Sequence, residues 1–76
     1  MDETDEELVA LCQEGSARAF ESLLHRYQPR VLRFVERKIG NLEDARDVTQ
    51  RTFLQVHDSL SRFRSGNRFS PWLFTI

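Results

Sequence analysis

Apolar residues recur at three- and four-residue intervals along three stretches of the chain, and the pattern breaks at Gly15, at Gly40 and after Leu60. At 100° per residue such spacing gathers side chains on one face of a helix. No stretch alternates with the two-residue period of a half-buried strand, and nothing repeats. The first predicted helix covers residues 4–14. Thr4 or Asp5 caps it, Asp5, Glu6 and Glu7 occupy the first turn, where the helix dipole favours acids, and Gly15 ends it. Leu8, Leu11 and Cys12 form its inward stripe, with Val9 beside them.

Ser16 caps a longer segment that reaches residue 39. Phe20, Leu23, Leu24, Tyr27, Val31, Phe34, Val35 and Ile39 make its apolar face. Pro29 lacks the N–H that would bond the carbonyl four residues back, so the pattern predicts a kink near Gln28 and Pro29, or two helices in tandem. Gly40 suits the C′ position, and Asn41 starts the next helix at once. So tight a link favours antiparallel neighbours.

The third segment, residues 41–60, organises the rest. Asn41 is its N-cap, and Asp44, three residues on, gives a start like a capping box. Ala45, Val48, Thr52, Val56 and Leu60 gather on the core side, flanked by Leu42, Thr49 and Phe53. The opposite side holds Asp47, Gln50, Arg51, Leu54, His57 and Asp58. Leu54 sits in the middle of that polar face. It reads either as a lone exposed leucine or as an apolar anchor ringed by hydrogen-bonding groups, the composition of a docking helix.

After Leu60 comes SRFRSGNRFS, with Ser, Gly and Asn at turn density. Ser70 and Pro71 then read as N-cap and N1 of a further helix carrying Trp72, Leu73 and Ile76. That helix spans about two turns, too few to stand alone, so Trp72 must dock on the rest. The chain looks cut short there. The predicted fold is all-α, a compact bundle of three to four helices in one domain, residues 1–76, with the last helix truncated.

Composition narrows the function. A chain of 76 residues buries only about 60% of its unfolded surface, which implies modest stability. No apolar run approaches the roughly 20 residues of a membrane span, and Met1 leads into acids instead of a basic secretory signal. The single cysteine, Cys12, excludes an internal disulfide and a cysteine-rich metal site, and a reducing cytoplasm is the default. Cys12 lies on an apolar stripe and reads as a core residue. The net charge of −1 conceals segregation: residues 1–14 carry six acids and no base, residues 15–40 six bases and two acids, and residues 61–76 three bases and no acid. Arg26, Arg30, Arg33, Arg37 and Lys38 form a basic surface, read either as solubilising charge or as attraction for a nucleic-acid backbone.

No catalytic constellation appears. His25 and His57 lie on different helices, the acids cluster at helix starts, and there is no glycine-rich phosphate loop. An enzyme, a cofactor and a metal site are all unexpected. The loop after residue 60 is different, because Arg62, Arg64 and Arg68 are interleaved with Phe63 and Phe69. Basic groups beside aromatic surfaces suit single-stranded nucleic acid. Phe63 continues the core stripe and reads first as a core plug, whereas Phe69 is undecided.

DARDVTQRTFLQV (residues 44–56), followed by SRFRSGNRFSPWLFTI (61–76), closely resembles region 2 of bacterial sigma factors of the extracytoplasmic-function (ECF) type. The upstream DEELVALCQEGSARAFESLLHRYQPRVLRFV (5–35) is similar to the same family's opening. The resemblance implies a helical domain whose third helix docks on the clamp helices of the RNA polymerase β′ subunit. The matching positions here are Asp47, Gln50, Arg51, Leu54 and His57. It also implies that the following loop meets the −10 promoter element and captures an unstacked base of the non-template strand. Asn67, Arg68 and Phe69 are its candidates, with Arg62 and Arg64 as phosphate contacts and Trp72 as an anchor. Arg51 stands where the family more often has an acid. The last helix lacks the family's basic continuation and the second sigma domain is absent, so the chain is expected to be a fragment or a shortened form. The rival expectation is a helical protein-interaction domain, for example one that binds an anti-sigma factor, with no nucleic-acid role.

Overall fold

A computed structural model describes residues 3–76. The order is α1 (Asp5–Gln13), α2 (Ala17–Ile39), α3 (Leu42–Ser59), a 3₁₀ turn (Leu60–Arg62) and α4 (Phe69–Leu73), and no strand occurs among the described residues.

Each main helix starts where its capping chemistry dictates. The Thr4 hydroxyl accepts from the Glu7 N–H at 3.1 Å, and the Glu7 carboxylate accepts from the Thr4 N–H at 2.8 Å, a closed capping box. The Ser16 hydroxyl accepts from the Ala19 N–H at 3.1 Å, and the Asn41 side chain accepts from the Asp44 N–H at 3.0 Å. Between α2 and α3, Gly40 adopts φ 77°, a left-handed conformation in which a side chain would be strained. α2 is one helix through Pro29 and not two. Pro29 and His25 are both exposed, so water can reach the carbonyl that the proline leaves without a donor.

α2 and α3 lie antiparallel, with Phe20 against His57 near one end and Gln28 and Leu32 beside Arg46 and Thr49 further along. Leu23, Tyr27 and Val31 of α2 meet Phe53 and Val56 of α3 in the core, which Leu8, Val9, Leu60, Phe63, Phe69 and Leu73 complete. Two predicted faces are rotated. On α1, Val9 is buried and Leu11 is 39% exposed, because α2 covers the Leu8–Val9 side. On α3 the buried line is Ala45, Thr49, Phe53 and Val56, while Val48 and Thr52 are only half-covered. α2 reaches α3 from that flank and leaves the other open.

α4 starts two residues earlier than the Ser70–Pro71 signal implies. Arg68 holds the N-cap position without a side-chain cap bond, and the cap comes from α1 instead: the Glu6 carboxylate accepts from the Phe69 N–H at 2.7 Å. Trp72 docks as expected, half-buried with its ring centroid 5.2 Å from that of Phe63.

Candidate functional site

Two exposed surfaces carry the residues singled out by sequence. The first is the outer face of α3. Asp47, Gln50, Arg51, Leu54 and His57 are all exposed and fall within about 120° of one another at 100° per residue. Leu54 is 65% exposed, at the centre of this face. Arg51 pairs with Asp47 at 2.7 Å in an i,i+4 bridge that lies open to water and contributes little to stability. His57 stands edge-on to the Phe20 ring with centroids 4.8 Å apart, at the mouth of a cavity of about 340 Å³ lined in part by Cys12, Phe20 and Leu60.

The second surface is the loop between the 3₁₀ turn and α4. Gly66 takes φ 94°, and the Asn67 N–H donates to the Arg64 carbonyl at 3.2 Å, closing a tight bend. Arg62, Arg64, Asn67 and Arg68 are exposed, and no described acid forms an ion pair with any of the three arginines. Phe69 is placed differently from the other candidates. Its side chain is 0% exposed, edge-on to Tyr27 at 5.4 Å and 5.8 Å from Trp72. Burial of so large a ring outweighs presenting it to solvent, so in this conformation it offers no face for stacking and instead roots the loop in the core.

The loop is held from α1. Besides the Glu6 cap, the Gln13 side-chain amide donates to the carbonyls of Leu60 and Phe63, each at 2.9 Å, satisfying backbone groups where α3 gives way to the loop. Asp5 bridges to Arg26 at 3.0 Å and accepts from the Tyr27 hydroxyl. Burial, together with the Asp5 hydrogen bond and charge, pushes the Tyr27 phenol above its ordinary pKa of 10.0. Sequence reasoning assigned Glu6 to the helix dipole and gave Gln13 no role. Their three bonds each span more than 45 residues of chain, and periodicity carries no signal for them. Burial likewise raises the Cys12 pKa, which disfavours the reactive thiolate. No group of three or more His, Cys, Asp or Glu side chains converges to hold a metal among the described residues, and none of their helices is long and apolar enough to cross a membrane.

The sigma-70 region 2 family matches residues 23–76. The chain belongs to that family. The region 2 domain is 35% identical over 74 residues to the RNA polymerase sigma-H factor of Pseudomonas aeruginosa, covering 97% of the chain and 38% of that relative. It is 45% identical over 64 residues to the RNA polymerase sigma factor CarQ of Myxococcus xanthus, covering 84% and 37% respectively. To the ECF RNA polymerase sigma-E factor of Escherichia coli K12 it is 37% identical over 73 residues, covering 96% and 38%. The chain therefore spans well under half the length of these relatives. No solved structure gives a significant match. The chain is thus a region 2 module of RNA polymerase sigma factors, a family of non-enzymatic proteins.

Proposed function

We propose that this region 2 domain docks on the clamp helices of the RNA polymerase β′ subunit through the outer face of α3, and binds the melted −10 promoter element through the loop at residues 61–72. Residues 1–76 act together as that one domain. Leu54 is the apolar anchor of the docking face. Asp47, Gln50, Arg51 and His57 form its polar rim, the arrangement in which a central desolvated contact dominates binding. In the loop, Asn67 and Arg68 meet an unstacked non-template base, Arg62 and Arg64 neutralise phosphates, and Phe69 keeps the loop in register from below. Unstacking a base costs a few kcal/mol, and no bond is made or broken. Binding energy alone holds the strand open.

The observation that carries the docking role is the 65% exposure of Leu54 at the centre of a polar face. The test is binding to an isolated β′ clamp-helix fragment. Leu54→Asp should weaken it by about 2 kcal/mol or more, since a charge would be buried at the centre of the contact, with the helical content and melting of the domain unchanged. No binding by the folded parent would overturn the docking role.

A second reading has one observation in its favour. With the Phe69 ring buried, the loop itself presents no aromatic face, as in a helical interaction module, such as one for an anti-sigma factor, with no nucleic-acid role. Binding of single-stranded DNA through the loop arginines separates the two.

A further inference from the structure

One basic surface has no part in either role above. On α2, Arg30, Arg33, Phe34 and Arg37 lie within about 100° of one another at helical spacing, and with Phe74, just past α4, they line an open recess of about 340 Å³. Phe34 and Phe74 meet edge to face with centroids 5.6 Å apart, yet they remain 46% and 37% exposed.

Ordinary structural roles account for only part of this. Cations in the last turn of a helix complement its dipole, which explains Arg37 and Lys38 but not Arg30 or Arg33. Arg26, by contrast, is tied to Asp5. Arg30 lies 5.0 Å from the Tyr27 ring centroid and Lys38 5.2 Å from that of Phe34, so rings and not carboxylates hold these two cations. None of Arg30, Arg33, Arg37 and Lys38 forms an ion pair with a described acid. Like charges at i,i+4, as at Arg33 and Arg37, cost helix stability. A polyanion seated on the recess would offset that cost.

The position of the recess points to which polyanion. Phe69, at the start of α4, packs on Tyr27, and Phe74, at its end, packs on Phe34. α4 therefore runs alongside α2 and leads from the arginine loop directly to the recess, a path of about 7.5 Å over five residues. We propose that the recess formed by Arg30, Arg33, Phe34, Arg37 and Phe74 is a second contact for single-stranded nucleic acid, on the segment of unpaired strand next to the one held by the loop. This rests on the loop binding single-stranded DNA. The arginines take phosphates, and the exposed face of Phe34 takes a base, since aromatic stacking accepts any base.

The test is fluorescence anisotropy of the chain with a labelled single-stranded oligonucleotide long enough to leave the loop in both directions, over a salt series. Arg33→Ala with Arg37→Ala should weaken binding roughly tenfold at low salt and make the slope of log K against log salt shallower by about 1.4, the share of two phosphates on a single strand. Phe34→Leu should weaken it at least about fivefold with the slope unchanged. Circular dichroism checks that each variant folds. The arginine-loop variant (Arg62, Arg64 and Arg68 to Ala) separates this proposal from the one it rests on. If that variant loses binding while the α2 variants match the parent, the recess proposal alone falls. If neither set of changes matters, both fall. Equal losses with a fully paired duplex, or equal competition by a polyglutamate peptide of matched charge, would assign the recess to duplex phosphates or to an acidic protein and overturn the proposal.

Discussion

Thr49 is a polar residue in an apolar place. It is 3% exposed, and its hydroxyl has no hydrogen-bond partner among the described residues. A buried hydroxyl without a partner costs about 1–3 kcal/mol. Valine has nearly the same shape without the polar atom, so Thr49→Val should raise stability by about 1 kcal/mol, read as a higher urea midpoint with an unchanged slope. A loss of stability would mean that the hydroxyl is bonded in solution. The sequence placed Thr49 only on the flank of the core face, because a threonine on a helix gives no sign of whether α2 will cover it. Phe69 poses the same problem in reverse. Its setting among arginines matched a stacking residue equally well, and only Tyr27, Phe63 and Trp72 around it decide for burial.

The helices themselves were legible to within a residue or two, since Thr4, Ser16, Gly40 and Asn41 are local signals whose chemistry acts over three or four positions. α4 was the exception. Its five residues are too few to persist alone, and its cap lies on another helix. Glu6→Ala should therefore free the Phe69 amide, speeding its hydrogen exchange more than that of the α2 core amides and destabilising the domain by about 1 kcal/mol, the usual value of a cap. Glu6→Gln keeps an acceptor oxygen and should recover most of that loss. Equal exchange at Phe69 in parent and Glu6→Ala would show that the bond does not hold α4.

Across the whole molecule, charge is segregated as the sequence implies, with acidic α1 laid against the base of the arginine loop and Arg62, Arg64 and Arg68 in no ion pair among the described residues. If the loop holds single-stranded DNA, replacing Arg62, Arg64 and Arg68 together by alanine should reduce its salt dependence by about 2 in log–log slope. An interaction module without a nucleic-acid role predicts no such binding in the parent. The sequence by itself determined the helical class, the starts of α1, α2 and α3, the exposed polar face around Leu54 and the basic loop, because each depends on residue order within a turn or two. Tertiary structure decided which flank of α1 and α3 is buried, the burial of Phe69, the Glu6 and Gln13 bonds that hold the loop, and the recess joining Phe34 to Phe74. Those depend on residues up to 63 positions apart, brought together only when packing fixes the relative rotation of the helices, and no local periodicity encodes that rotation.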